Sequence, residues 1–592
     1  MKTIKTVILA VLAASVLTSC KDFFIEKPEV TGMDLDDVFS TAKNAEGAIA
    51  EAYGSILSSG LPVLVWNNSP IMPYETTEAI MGGEDLDKMG WGYMDKQVVA
   101  GMLANDENNG AGYTDDYFPN NYTFIRKAWL VYENIDKVAD MGTRDKDIVK
   151  AEMQTLVAFR YLEMMKRYGG VPIVEKSLTS ADTRTRSTVA QTLEFIVSLC
   201  DQAAGVLEGV TWPGEWLGRV NKGVALAVKA EALMYAARPL FNSDAPYMQM
   251  SDPANNEMIW LGGYDKDRWR VAREANQAVI DWGKANGYEL IDTDHPLQDY
   301  GEAVGRPSNR EVLLAYKEQR ENDDNGIYKN YTFMPTKTAH NLNTYRGTSF
   351  GQLCQYRKAD GTDQTWVNEG EWAPASEYRE KAEELEPRAH ASLFFYGIQP
   401  KNNTTSGSRW DLNQNWMFEC DISNGDGCAK NIKFWYEAGN REWFEFPIYR
   451  MAEFYLNIAE AYNEEGNSTG ALEYLNIIRD RGGLEDETVT DQDALRKSIR
   501  REWAVEFYNE NQWYPHARHW KMGPEMIAGP KYKFTFTIPD NITWKPRKPE
   551  EFVDYSRTAS YVPQYNWFDR MYLSPFTLNE VNKGYLVQNP GY

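Results

Sequence analysis

The chain has 592 residues, of which 43% are hydrophobic and 13% aromatic, and its formal net charge is −24. A chain of this length can bury one large core or two to three closely packed subdomains. The negative charge argues against binding to nucleic acid phosphates or to an anionic lipid leaflet, because both need basic patches. The expected ligand is therefore neutral or cationic.

The N-terminus is typical of an exported bacterial lipoprotein. Lys2 and Lys5 precede an apolar run over residues 7–17, which is too short to span a bilayer. A small residue, Ser19, stands directly before Cys20. We therefore predict that residues 1–19 are a cleaved signal peptide and that Cys20 carries the lipid anchor. An ordinary cysteine after a plain secretory signal is the alternative.

The remainder of the chain is predicted to form a tether and one domain. Residues 20–40 are of mixed charge and contain Pro28 and Gly32, as expected of a lipid anchor and tether. A single domain is predicted over residues 41–592, with an N-terminal helical part up to about residue 310 and a C-terminal part after it. No later run is long and apolar enough to cross a membrane.

Helical periodicity dominates this domain. Apolar residues recur at three- and four-residue spacing in four segments, which predicts a mainly α fold. The predicted helices cover residues 151–165, 188–207, 222–237 and 267–284. Gly169-Gly170 follows the first of them, and Asn286-Gly287 closes the last.

A helix pair is predicted near the C-terminus. Residues 449–463 and 471–479 each carry a helical apolar face, and Gly466-Asn467 turns the chain between them. The unit is about 34 residues long, as in a tetratricopeptide repeat. An ordinary helical hairpin remains the alternative, since one unit cannot demonstrate a period.

Long stretches without periodicity hold many of the aromatic residues. They run over residues 66–122 and 328–443 and are rich in Trp and Tyr among Gly, Asn and Asp. Long loops in a compact protein are usually functional. Flat aromatic rings suit the C–H face of a sugar ring, while polar side chains satisfy the hydroxyls at its edge. The aromatics either form such a site or pack beneath their loops.

Several short motifs follow one another from the anchor to the last residue. They are Ser19-Cys20-Lys21-Asp22-Phe23-Phe24, Phe159-Arg160-Tyr161-Leu162, Tyr168-Gly169-Gly170-Val171-Pro172, Val220-Asn221-Lys222-Gly223-Val224-Ala225-Leu226-Ala227, Glu386-Pro387-Arg388, Pro447-Ile448-Tyr449-Arg450-Met451-Ala452-Glu453, Ala459-Glu460-Ala461-Tyr462-Asn463, Asn476-Ile477-Ile478-Arg479-Asp480-Arg481-Gly482-Gly483-Leu484 and Gln588-Asn589-Pro590-Gly591-Tyr592. In this order they resemble the SusD/RagB family, the glycan-binding outer-membrane lipoproteins of Bacteroidota. The resemblance spans the mature chain.

The resemblance implies a scaffold of about four tetratricopeptide-like helix pairs, with little strand and with irregular loops that carry a shallow glycan site. It implies a surface-exposed, lipid-anchored protein that captures oligosaccharide or polysaccharide, does not cleave it, and delivers it to a SusC-like TonB-dependent transporter. No cofactor or metal is implied. By chain position, the expected glycan contacts are Trp91, Tyr93, Tyr331, Asn343 and Tyr345, with Trp66 and Trp366 as second choices.

One segment departs from the family pattern. Asn511, Trp513 and His516 stand where Gly, Arg and Asp are usual, so a rearranged local core is expected. His516 and His519 are three residues apart and could ligate a metal. Pro515 argues against a regular helix there, and no third ligand is apparent.

The segment from Cys420 to Cys428 holds Asp, Ser and Asn oxygens at alternating positions, as in a calcium loop. The final Glu of an EF-hand is missing, so a glycine-rich turn, clipped by a disulfide that export would permit, is the preferred interpretation.

Two other classes of function stay open. A glycoside hydrolase needs two suitably spaced carboxylates, but no signature selects a pair among 86 acidic residues. A peptide-binding surface lipoprotein that serves a peptide importer is the nearer alternative, because helical repeats often hold extended chains.

Overall fold

The structure is a computed structural model. It describes residues 34–58, 79–81, 118–178, 184–319, 346–398, 401, 427–434, 436, 443–527, 532–537, 553–559 and 567–592. The predicted signal peptide, Cys20 and most of the predicted tether lie outside these residues.

The α-helices of the N-terminal part are α1 Leu35–Val38, α2 Ala42–Ser58, α3 Phe118–Asn134, α4 Thr143–Tyr168, α5 Val189–Val206, α6 Lys222–Ala237 and α7 Asp267–Asn286. The later ones are α8 Pro296–Gly305, α9 Phe350–Leu353, α10 Ala375–Glu383, α11 Pro387–Ser392, α12 Met451–Glu464, α13 Ser468–Arg481, α14 Gln492–Glu506, α15 Trp513–His519, α16 Gly523–Ile527 and α17 Leu578–Asn582.

The four helices predicted in the N-terminal part are confirmed. α6 has the predicted bounds, Thr188 caps α5 through a capping box with Gln191, and Gly287 ends α7 in the left-handed conformation. α4 begins eight residues before the predicted start, at Thr143, and ends at Tyr168. Residues in its first two turns are mostly charged, so this part of the helix shows no apolar spacing from which its start could be predicted.

Successive helices pack as four pairs, as the resemblance implied: α2 with α3, α4 with α5, α6 with α7, and α12 with α13. Each pair also contacts the next, through α3 and α4, α5 and α6, and α7 and α12. The last of these contacts joins helices that lie far apart in sequence. The C-terminal part of the chain therefore leaves the scaffold after α7 and returns at α12 to complete it.

The described strands are β1 Ala79–Met81, β2 Val312–Gln319, β3 Arg346–Thr348, β4 Trp372–Pro374, β5 Leu393–Phe394, β6 Lys430–Asn431, β7 Trp443–Arg450, β8 Tyr532–Phe536 and β9 Asp554–Ala559. They form three antiparallel sheets with the orders β1-β3-β6-β5, β2-β7 and β4-β9-β8.

The structure corrects the sequence-based prediction at three places. Tyr449, the predicted start of a helix, belongs to β7, and α12 begins at Met451. The aperiodic stretch 328–443 contains β3 to β6 and α9 to α11, elements of two to nine residues that are too short to show a period. Residues 34–40 belong to the folded body and not to the tether, since Phe39 is buried in the core.

The buried apolar residues form two large clusters. The first lies among the scaffold helices, around the almost entirely buried second half of α4. The second lies under the sheets of the C-terminal part and is rich in aromatic rings, among them Tyr300, Tyr356, Tyr378, Phe534 and Tyr555.

A buried ion network lies within the C-terminal part of the protein. Glu506, at the end of α14, accepts hydrogen bonds from Arg450 (Nη1, 2.7 Å), Arg388 (Nη1, 3.1 Å) and Arg481. Burial alone would raise the pKa of Glu506, but the three guanidinium groups hold this pKa well below its usual range. Because its residues come from β7, α11, α13 and α14, the network holds the last helices against the C-terminal sheets.

The segment that departs from the family pattern is helical in the structure. Pro515 lies in the first turn of α15, where a proline costs no helical hydrogen bond, so it does not prevent the helix. The His516 ring packs edge-on against Trp503, with ring centroids 4.2 Å apart. His519 Nε2 lies 3.0 Å from the carbonyl oxygen of Lys166. Both histidines are buried core residues.

Among the described residues, no group of three or more His, Cys, Asp or Glu side chains is arranged to hold a metal ion. Cys200, Cys354 and Cys428 form no disulfide within the described residues. Cys420 lies outside them, so its bridge to Cys428 stays a prediction. Within the same part of the chain, none of the helices has the length and apolar run that crossing a bilayer requires.

Candidate functional site

Six of the seven predicted glycan contacts lie outside the described residues, namely Trp66, Trp91, Tyr93, Tyr331, Asn343 and Tyr345. The seventh, Trp366, lies within them. Of the described strands, β1 lies within the first predicted loop stretch and β3 within the second, and these two strands pair with each other.

One strand pairing links the two predicted loop stretches, residues 66–122 and 328–443. β1 and β3 are antiparallel neighbours, with Ala79 opposite Thr348, Ile80 opposite Gly347 and Met81 opposite Arg346. Tyr345 directly precedes Arg346, and Trp91 follows Met81 by ten residues. Opposite residues in an antiparallel pair have Cα atoms about 4.5–5.5 Å apart. The fold thus brings together two strands that are remote in sequence, one from each stretch in which contacts are predicted.

β3 is fixed to the aromatic core beneath it. The backbone N–H of Thr348 donates to the carbonyl of Ala429 at 2.8 Å, and the hydroxyl of Thr348 lies 2.8 Å from the hydroxyl of Tyr508. Tyr378 donates from its hydroxyl to the carbonyl of Cys428 at 2.7 Å. Since all of these groups are buried, the sheet is a rigid support for the chain that leaves it.

Trp366 is not a surface residue, which corrects its selection as a second-choice glycan contact. The residue is 8% exposed, and its ring centroid lies 5.3 Å from that of Phe534 and 5.8 Å from that of Tyr378. An indole buried to this extent offers no plane to a ligand. The sequence could not separate this outcome from exposure, because the neighbouring residues show no period.

Trp372 is exposed, but it is not among the glycan contacts predicted from the sequence. It lies on β4, the edge strand of the sheet β4-β9-β8, and 56% of its surface is accessible. Pairing with Ser556 of β9 holds its backbone in place. A large exposed indole on a fixed strand is a suitable platform for a sugar face. Gly370, a turn residue with a positive φ just before β4, was the sequence signal that a new element begins near Trp372.

Comparison with known proteins gives two family matches. The profile of the SusD family matches residues 310–592, and a second profile, described as starch-binding and associating with the outer membrane, matches residues 83–231. No curated protein matches the chain.

Solved structures share the fold over nearly the whole chain. A SusD-like protein from Bacteroides fragilis is 24% identical, with a TM-score of 0.74 over 95% of this chain and 100% of its own. A SusD-like carbohydrate binding protein, also from Bacteroides fragilis, is 16% identical with a TM-score of 0.64, and covers 93% of this chain and 99% of its own. A SusD superfamily protein from Bacteroides vulgatus is 13% identical with a TM-score of 0.57 at the same coverages.

Proposed function

The chain belongs to the SusD family, and from this premise we propose that it is a lipid-anchored surface protein that binds oligosaccharide or polysaccharide without cleaving it. One structural observation supports the proposal: β1 pairs with β3, and each strand belongs to one of the two stretches in which aromatic contacts are predicted. Such a pairing allows contacts from both stretches to serve one ligand.

Binding in this proposal depends on stacking and on hydrogen bonds at the ring edge. Trp91, Tyr93, Tyr331 and Tyr345 supply aromatic planes, and Asn343 supplies an amide that can both donate and accept. Aromatic stacking contributes about 0.5–1.5 kcal/mol per contact beyond area burial, so several contacts are needed for useful affinity. Weak capture of a long chain at repeated positions is the expected behaviour.

Anchoring and delivery complete the proposal. Cys20 carries the lipid that holds the protein on the outer membrane, and a SusC-like TonB-dependent transporter receives the captured glycan. The helical scaffold is the rigid part, and the loops between its elements select the ligand.

Affinity gel electrophoresis with immobilised polysaccharides tests the binding site. The double variant Trp91→Ala and Tyr345→Ala should lose retention while its thermal unfolding midpoint stays that of the wild type. Tyr264→Ala is a matched control, because Tyr264 is an exposed aromatic residue between α6 and α7 and lies outside the predicted loops. Retention of the double variant equal to that of the wild type would remove both residues from the site.

The absence of catalysis is tested separately. Incubation of the wild type with the retained polysaccharide should release no reducing sugar, because binding alone leaves the glycosidic bonds intact. Sustained release that scales with protein concentration would favour a hydrolase. Retention of peptides but of no glycan would favour the peptide-binding class.

A further inference from the structure

The scaffold contains a cavity of about 360 Å³, and none of its lining residues belongs to the predicted loops. Residues 210–221 between α5 and α6, residues 282–288 at the end of α7, and residues 308–317 of β2 and the turn before it supply most of its lining. Pockets that hold small molecules usually measure about 300–1,000 Å³. We refer to this cavity as the scaffold pocket.

Two stacked aromatic rings form one part of the lining. Trp282 and Tyr288 have ring centroids 5.6 Å apart and planes inclined by 26°. A Cβ atom on Gly223 of α6 would lie 2.0 Å from the Trp282 ring, so only a glycine at this position lets the indole sit against the helix. Asn221, the residue that caps α6, donates from Nδ2 to the Tyr288 hydroxyl at 3.3 Å. The rings are therefore held in place before any ligand arrives.

Trp212 is fixed in a similar way. Its Nε1 donates to the carbonyl of Val220 at 2.9 Å, and the guanidinium of Arg219 lies 4.1 Å from its ring centroid. Arg219 in turn pairs with the buried carboxylate of Glu152 through Nε at 2.7 Å and through Nη2. A third aromatic side chain thus lines the pocket in a defined orientation.

The charged groups of the lining are balanced. Lys317 pairs with Glu445 at 2.7 Å, and Arg310 pairs with Glu289 at 3.0 Å. Because each of these cations has a carboxylate partner, as Arg219 does, the pocket has no excess charge that would select an ionic ligand. Arginine has five N–H donors and lysine three, so the ion pairs leave donors that can reach the hydroxyl groups of a ligand.

We propose that the scaffold pocket is a second saccharide site, which takes one or two units of a neutral sugar. The C–H face of the sugar packs on the Trp282–Tyr288 pair, and its hydroxyls accept hydrogen bonds from Arg310, Lys317 and the Tyr288 hydroxyl. The class of ligand rests on the proposed function. The position and the residues of the site come from the pocket itself.

Isothermal titration calorimetry on the full mature protein tests this site, with maltose, cellobiose, xylobiose and mannobiose as neutral probes and digalacturonic acid as the acidic probe. For the best neutral probe, the double variant Tyr288→Phe and Arg310→Ala should raise Kd about tenfold or more. Trp282→Ala should do so as well, and if that variant does not fold, the double variant decides. The loop variant Trp91→Ala and Tyr345→Ala removes the proposed loop site, and the disaccharide binding that this variant retains should be lost when Tyr288→Phe and Arg310→Ala are added.

The matched control is the double variant Tyr264→Phe and Arg270→Ala. Tyr264 is exposed, and Arg270 is an ion-paired residue of α7 that does not line the pocket. This control should bind the disaccharide as the wild type does.

The outcomes separate the two proposals. If the wild type binds neither polysaccharide nor disaccharide, the proposed function fails and this inference fails with it. If the wild type retains polysaccharide but binds none of the neutral disaccharides, or if the pocket variants bind them with unchanged Kd, the inference fails and the proposed function stands. Tighter binding of digalacturonic acid than of every neutral probe would contradict the proposal that the pocket takes a neutral sugar.

Discussion

At the residue scale, position in the fold decides what an aromatic side chain does. Trp366 and Trp372 belong to one aperiodic stretch and are six residues apart, yet the first is buried among rings and the second is largely exposed on an edge strand. The difference arises from tertiary packing: Trp366 lies against Phe534 of β8 and Tyr378 of α10, whereas Trp372 lies on the edge strand β4.

This contrast gives a matched pair of substitutions. Trp366→Ala should lower the free energy of unfolding by about 3–5 kcal/mol, because it leaves a cavity in the aromatic core. Trp372→Ala should change this free energy by no more than about 0.5 kcal/mol and should weaken retention in polysaccharide gels. Urea unfolding and affinity gels on both variants check the prediction. Unchanged retention of the Trp372 variant would exclude this residue from glycan binding.

A second prediction at this scale concerns pH. Burial lowers the pKa of His390 to about 4, with the nearby Lys401 acting in the same direction, and burial holds the pKa of His516 and His519 well below 6.5. Between about pH 6.5 and 4, the unfolded chain therefore binds protons that the folded chain does not. The free energy of unfolding should fall as the pH drops through this window, by up to about 1.4 kcal/mol per pH unit for each histidine.

Urea unfolding at pH 7.5, 6.5, 5.5 and 4.5 measures this effect. His390→Asn should reduce the loss of stability between pH 6.5 and 4.5, because it removes one of the buried groups that become protonated only on unfolding. Equal pH dependence of the wild type and His390→Asn would show that His390 does not contribute.

At the scale of elements, the buried ion network joins the helical scaffold to the C-terminal sheets. The network crosses this boundary with charged groups in place of apolar contacts, so its stability depends on complete pairing. A buried ion pair that loses one member leaves an uncompensated charge, which is costly, whereas the intact pair adds little net stability.

Glu506→Gln should therefore lower the free energy of unfolding by about 3–5 kcal/mol, because three guanidinium groups lose their shared carboxylate. Glu274→Gln removes a carboxylate from an exposed ion pair with Arg270 and should cost at most about 1 kcal/mol. Thermal and urea unfolding of the two variants make the comparison. A loss of similar size in both would contradict the structural role of the network.

At the scale of the whole molecule, the helix pairs form a continuous frame from α2 to α13, and loops and small sheets are attached to it. The N-terminal segment ahead of Asp34 connects this frame to the predicted anchor at Cys20. In the proposed function, this frame presents a ligand site at the surface while the lipid on Cys20 restricts its diffusion.

Cys20→Ala should move the protein from the membrane fraction to the soluble fraction and abolish incorporation of labelled fatty acid. Removal of the acylated thiol removes the hydrophobic attachment and leaves the folded domain intact. Cys354→Ala is the control, since Cys354 lies within the folded domain and should not affect fractionation. A Cys20 variant that stays with the membrane and keeps its label would exclude lipidation at this residue.

The sequence by itself determined six of the eight scaffold helices, α4 to α7, α12 and α13, because apolar spacing and end signals such as the Thr188 cap and the terminal Gly287 lie within each helix's own residues. It did not predict α2 and α3, and the start of α3 lies in the stretch 66–122 that shows no period. It also placed the chain in its family, through motifs in a specific order. The pairing of β1 with β3, the burial of Trp366, the ion network and the scaffold pocket were decided only by the tertiary structure. Each of these features joins residues that are remote in the chain, and no local pattern records which distant segment will pack against which.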